Sequence, residues 1–216
     1  MKHFVIIGLG RFGYHLATSL YRLKNQVLVI DINKKVIDSI KDDVTEAIIG
    51  DARDIKFLSE FVDDSVDTVV VATGADIEMS VLTVLYLKDL GVKHIVAKAK
   101  SEDHGKILHS LGVNEVIYPE KDIASRLAEK MTLSNLVSHI PLAPEYSIVE
   151  IVTPEKFFNK SLTELQLRQK YGIVVIAIKD VLYDKIDVIP DAGTKLPPDS
   201  VLIIICKTED VVNLKF

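Results

Sequence analysis

Two hydrophobic rhythms alternate from His3 to about Met131: short runs of β-branched and aliphatic residues, and longer stretches whose apolar positions recur every three or four residues. The short runs, Phe4 to Ile7, Val27 to Asp31, Ala47 to Gly50, Thr68 to Ala72, His94 to Ala97 and Glu115 to Tyr118, predict six strands. They are nearly continuous in Val, Ile and Ala, as strands buried on both faces of a parallel sheet must be, so the intervening helices are expected on both sides. Right-handed crossovers then make an α/β fold, a Rossmann-type doubly wound sheet that binds ligands at the carboxyl ends of its strands. This first domain is expected over residues 1–137.

The rhythm breaks at Ser138-His139-Ile140-Pro141-Leu142-Ala143-Pro144-Glu145, where two prolines predict a short, stiff linker over 138–145. Beyond it the pattern predicts a strand from Ser147 to Val152, a helix from Ser161 to Gln169, and strands over Ile173 to Lys179, Tyr183 to Val188 and Val201 to Cys206. That is a smaller α+β domain over 146–216. About 70 residues make a thin core, so packing against another copy of the chain is expected.

Composition narrows the classes. With 216 residues, 48% hydrophobic and 26% charged, the chain can close two cores and is not disordered. A net charge of −5 counts against a nucleic-acid partner. No apolar run approaches the ~20 residues of a membrane helix. Cys206, the single cysteine, lies within Val201 to Cys206 and reads as a buried small hydrophobe. With Met1 to Gly8 read as a strand rather than a signal peptide, a cytoplasmic location is expected.

The candidate chemistry starts at Gly8-Leu9-Gly10-Arg11-Phe12-Gly13, directly after the first strand and at the opening of a helix. Gly8 permits a tight turn, Gly10 lets a pyrophosphate approach the backbone, and Gly13 lets helix and strand pack closely, with the phosphates against the unpaired amides of the helix start. The second strand ends on Asp31, where an acid is placed to accept hydrogen bonds from a ribose and to repel a 2′-phosphate, which disfavours NADP. Arg11 departs from the dehydrogenase pattern: its guanidinium either adds phosphate charge recognition, suiting ATP or ADP as well as NAD(H), or points to solvent. Gly50-Asp51-Ala52 and Ala72-Thr73-Gly74-Ala75 end the third and fourth strands on the ligand edge. Asp51 is there either to line the ligand or to cap a helix from Arg53 to Phe61. Lys98, ending the fifth strand, suits a phosphate or simply solvent; Glu120, after the sixth, suits a cation or the dipole of a following helix. His104 and His109 are expected to face solvent, and the helix from Asp122 through Asn135, apolar at Ile123, Leu127, Met131 and Leu136, is either a crossover between subunits or a core helix. HExxH, CxxC, GxSxG and Walker motifs are absent from the sequence, and no residues recommend a general base, so a binding protein is expected rather than an enzyme. An NAD-dependent dehydrogenase with a small substrate lid is the alternative.

Ile7 to Gly13, Val29-Ile30-Asp31, Gly50-Asp51-Ala52, Ala72 to Ala75 and Tyr118 to Asp122 together resemble the RCK domain of Trk and Ktr potassium-uptake regulators. Glu145 to Glu150 and Leu167 to Gly172 resemble its small C-terminal partner domain, and the likeness to the Ktr regulatory type is the nearest. The resemblance implies a regulatory subunit in an octameric ring beneath a membrane potassium-translocating subunit, binding ATP, ADP or NAD(H). It implies Asp31 and Asn33 at the ribose, with Ile32 between them also among the cofactor-binding residues, Arg11 and Lys98 at the phosphates, and Asp51 near the adenine. It also implies a divalent cation at Glu120 and cyclic di-AMP at Arg168 in the second domain.

Overall fold

The computed structural model describes residues 1–73, 76–132 and 136–213. By its internal contacts the chain divides into Met1–Lys121 and Asp122–Phe216.

The first unit runs β1 (His3–Ile7), α1 (Arg11–Arg22), β2 (Gln26–Asp31), α2 (Lys34–Ile40), β3 (Glu46–Ile49), α3 (Ile55–Leu58), β4 (Thr68–Val71), α4 (Ile77–Asp89), β5 (Ile95–Lys98), α5 (Glu102–Ser110) and β6 (Glu115–Ile117); α6 (Pro119–Thr132) begins in it. The six strands form one parallel sheet in the order β3-β2-β1-β4-β5-β6. The expected Rossmann-type sheet is therefore present, with strand ends within about a residue of their sequence-based positions. Because side chains alternate along a strand, each strand feeds two cores. Val5, Ile7, Leu28, Ile30, Val69 and Val71 fill one face, and Ile6, Val27, Val29 and Val70 the other. Full burial of each such side chain is worth about 1.5–3 kcal/mol. The chain leaves β1 toward β2 on one side and returns to β4 on the other, so the order reverses between β1 and β4. Ligand crevices open at such reversals.

Local signals decide the helix starts. Asn33, Asp54, Asp76 and Ser101 cap α2, α3, α4 and α5 with side-chain acceptors. Asp54, not Asp51, caps the third helix, which is accordingly shorter than the expected Arg53 to Phe61 segment.

The second unit holds β7 (Leu136–Ala143), β8 (Tyr146–Val152), α7 (Leu162–Leu165), α8 (Leu167–Tyr171), β9 (Val174–Asp180), β10 (Lys185–Val188) and β11 (Ser200–Lys207). Its antiparallel sheet has the order β10-β9-β11-β8-β7 over a core that includes Val149, Ile151, Phe157, Leu165, Leu196, Leu202 and Ile204. Three expectations need correction. The segment 138–145 is not a linker: most of it is the edge strand β7, joined to β8 by a hairpin turn at Pro144-Glu145. An edge strand tolerates Pro141 because it needs hydrogen-bond donors toward one neighbour only, and the register shifts beside it. The expected Ser161 to Gln169 helix is two short helices, broken where Gln166 adopts the left-handed conformation, φ 49°. The β10 strand starts later than Tyr183 because the Asp180 carboxylate accepts from the amides of Leu182 and Tyr183 and closes a turn there. Cys206 is buried as expected, and desolvation pushes its thiol up to about 11.

Candidate functional site

At the β1/β4 reversal the carboxyl ends of β1, β2, β4 and β5 surround a cavity of about 560 Å³, within the range of small-molecule sites. Its geometry begins with Gly8. A left-handed backbone, φ +93°, lets its amide donate to Ile30 O at 2.8 Å and turns the chain sharply at the strand end; a Cβ here would lie 2.5 Å from Thr73 Cγ2. Gly13 allows α1 to pass directly over this turn, since a Cβ would lie 2.1 Å from Gly8 O. Gly10 differs: it lines the cavity, and an added Cβ would meet nothing within 4 Å. Protein atoms alone do not require glycine there, whereas a group approaching the backbone from the cavity would.

Gly8 and Leu9 give their amides to Ile30 O and Asp31, so the donors that remain are those of the helix start, where Gly10 lines the cavity. Among the described residues no side chain caps α1, unlike the four capped helices that follow, and no acid stands in its first turn. An anion at this start gains unpaired amides and the positive end of the helix dipole. Asp31, at the end of β2, stands beside the loop. Its Oδ2 accepts from Leu9 N at 2.6 Å and its Oδ1 from Asn33 N at 2.8 Å, leaving lone pairs of both oxygens for hydroxyl donors. Thr73 lines the cavity beyond the end of β4, on the other side of β1, and its buried Oγ1 has no hydrogen-bond partner among the described residues. On the far side Lys98 Nζ meets Glu120 Oε1 at 2.5 Å, and that ammonium holds the Glu120 carboxyl below its usual range.

Of the residues singled out from sequence, Gly8, Gly10, Asp31, Ile32, Ala52, Thr73, Lys98 and Glu120 converge on this one cavity. Leu9 and Gly13 shape the loop from behind, Phe12 packs into the core, and Asn33 caps α2. Arg11 is exposed and off the cavity wall: two positions before the sheet-facing Gly13, a helix turn of 3.6 residues carries it to the solvent side. Asp51 is also off the wall, because both its oxygens engage the Arg53 guanidinium, with Nη2 at 2.7 Å from Oδ2; that pairing lowers its pKa. Gly74 and Ala75 lie outside the described residues. The sequence reading passed over Asp76, Met79, Ala99 and Lys100. Asp76 was recognisable as an acid just before a helical apolar pattern, where its carboxylate accepts from Met79 N at 3.0 Å.

His104 corrects another expectation. It is 1% exposed, because the Ser101 cap sets a helix phase that buries His104, Gly105 and Leu108 together, while His109 is exposed. Its Nδ1 accepts from the amide of Lys100, a cavity residue, at 3.2 Å, while Nε2 has no partner among the described residues. Burial, then the nearby Lys100 charge, lower its pKa. In the second unit Arg168 borders a cavity of about 480 Å³ with Gln166, Gln169 and Thr163.

Comparison with known proteins matches residues 4–119 to the TrkA-N domain and residues 146–214 to the TrkA-C domain. The chain is 38% identical over 178 residues to "Ktr system potassium uptake protein A" of Bacillus subtilis (strain 168), covering 82% of this chain and 80% of that protein. It is 34% identical to "Ktr system potassium uptake protein C" of the same organism, covering 97% and 94%. Among solved structures, "GsuK channel bound to NAD" has the same fold with TM-score 0.63 at 17% identity; the match covers 98% of this chain and 39% of that one.

Two outcomes follow from this geometry. Gly13→Ala will destabilise the chain by about 1–3 kcal/mol in denaturant unfolding, because a Cβ 2.1 Å from Gly8 O can be accommodated only by displacing backbone of the helix or the turn. His104 makes stability pH-dependent: its folded pKa lies below the ordinary value of 6.5, so the unfolded chain binds the extra proton. Stability therefore falls as pH drops below about 6.5, and a His104→Asn variant, melted between pH 5 and 8, will lose that part of the slope.

Proposed function

Because the chain belongs to the family in which a TrkA-N domain is followed by a TrkA-C domain, we propose that it is the nucleotide-sensing regulatory subunit of a potassium-uptake system. The observation that carries this reading is the uncapped start of α1, which shares one cavity with Asp31 and Lys98. The residues fit an adenine nucleotide. The α1 amides and Lys98 meet the phosphates, the spare lone pairs of Asp31 take the ribose hydroxyls, and Thr73 Oγ1 gains the partner it lacks. ATP, ADP and NAD(H) share these features. The relatives' names, both for potassium uptake, favour this reading over the dehydrogenase alternative.

Regulation needs two shapes with different ligand affinity. Arg11, exposed at the loop edge, meets the terminal phosphate of a triphosphate held by its own or a facing copy, so ATP and ADP favour different assemblies. Assembly is supported by α6: Ile123, Leu127 and Met131, four residues apart, are 59%, 55% and 78% exposed, an apolar stripe suited to a second copy. The expected stripe also included Leu136, which instead is buried in β7 because α6 ends at Thr132. We propose a ring, of eight copies as in the Ktr type, that opens or closes a membrane potassium-translocating subunit. Among the described residues no helix is long and apolar enough to cross a membrane, so translocation belongs to that partner.

Two finer assignments concern Glu120 and Arg168. The divalent cation is proposed at Glu120 beside the bound nucleotide and between copies; in the ligand-free chain that carboxylate pairs with Lys98. The cavity beside Arg168 is the place proposed for cyclic di-AMP, its guanidinium offering a fork to a phosphate.

Thermal melting of the chain with ATP, ADP, AMP, NAD, NADH and cyclic di-AMP tests the reading. A ligand at 100 times its Kd raises stability by about 2.7 kcal/mol. Gly10→Leu should melt like the parent alone yet lose the adenylate or dinucleotide shift, because its side chain enters space that only a ligand uses. Absence of a shift with every adenylate and dinucleotide would overturn the proposal. In gel filtration with light scattering, Leu127→Glu should reduce the oligomer size, and an unchanged size would remove α6 from the assembly.

A further inference from the structure

Lys98 and Glu120 are unequal partners. Lys98 ends β5, and its side chain is 16% exposed; Glu120 is the second residue of α6, and its side chain is 73% exposed. The parallel pairing of Lys98 with Ile117 brings the start of α6 alongside the end of β5, so the two charges meet at the cavity wall that both line. Glu120 is the one partner that the structure gives the Lys98 ammonium among the described residues. An ammonium so withdrawn from water needs a compensating anion, whereas a carboxylate this exposed returns to solvent at little cost.

We propose that Glu120 is an internal competitor that holds Lys98 in the ligand-free chain and yields it to a phosphate group of the incoming nucleotide, which makes Glu120 a specificity-determining residue for ligand charge. This rests on the nucleotide reading above. A carboxylate and a phosphate oxygen are alternative acceptors for one compact ammonium, and Lys98 offers a point charge rather than the fork through which an arginine could serve both. A ligand without phosphate leaves the pair closed and gains nothing from Lys98. A phosphorylated one must displace Glu120, so its affinity carries the cost of opening an ion pair. The displaced carboxylate belongs to the first turn of α6, the helix that also presents Ile123 and Leu127, so ligand charge acts directly on the helix proposed for assembly.

Calorimetric titration of the full chain with ADP and with adenosine, in buffer containing EDTA so that divalent cations play no part, tests the exchange. Glu120→Gln should bind ADP about two- to fivefold tighter than the parent, the size expected for removing a partly exposed ion-pair competitor. Lys98→Met should bind ADP more weakly, and the double variant should match it, since without the ammonium there is nothing to compete for. Adenosine affinity should be the same in the parent and in Glu120→Gln. Equal or weaker ADP binding by Glu120→Gln, a gain that persists in the Lys98→Met background, or an equal gain for adenosine would each overturn the competition. Circular dichroism melts confirm that each variant is folded. A folded parent that binds neither ligand would overturn the nucleotide reading itself, a result distinct from a parent that binds ADP no less well than Glu120→Gln.

Discussion

The ends of β1 and β2 are tied together by one carboxylate. Asp31 accepts the Leu9 amide at 2.6 Å and the Asn33 amide at 2.8 Å, so the loop after β1 and the turn after β2 share a single anchor. With Gly8 O in contact with Gly13 behind it, the loop has no freedom to fold over its own helix start. The open amides of α1, the cavity and the position of every residue around it depend on that constraint. A side chain at Gly13 or a neutral residue at 31 would weaken it, the first by steric displacement and the second by leaving the part-buried Leu9 amide poorly paired.

One ion pair stands on the cavity wall and another just off it. Asp51 is held by Arg53 away from the wall, which leaves Asp31 as the acid facing the loop, while Lys98 is offset by the more exposed Glu120. Behind the β5–α5 connection, neutral His104 accepts the Lys100 amide and ties the cavity rim to a helix core. The same region thus holds the ion pair proposed to respond to ligand charge and a buried imidazole. Both lie between the end of β5 and the first turn of α6.

The second unit follows different physics. Its sheet is antiparallel and covered by two short helices, so its strands alternate buried and partly exposed residues, as in β11, where Leu202, Ile204 and Cys206 point inward. A core this small leaves apolar surface available, and Arg168 borders a cavity of its own about 480 Å³ in volume. The two cavities differ in what lines them: the first is built around the glycine loop at the strand ends, the second around side chains that include Thr163, Gln166 and Arg168.

The parallel sheet, the glycine loop and Asp31 were legible in the amino-acid sequence because each depends on neighbouring residues: strand burial on a continuous apolar run, the loop on backbone angles that only glycine adopts easily, the acid on its distance from that loop. What required the tertiary structure were features made by residues far apart in the chain or by helix phase. Pro141 suggested a linker until β8 was seen to supply the partner for an edge strand. His104 looked solvent-facing until the Ser101 cap set its helix phase, and Asp51 looked available until Arg53 claimed it. Lys98 and Glu120 each had a reading of their own, but their pairing exists because β5 and β6 lie side by side, and sequence periodicity fixes how a strand or helix is buried without fixing which charge it meets.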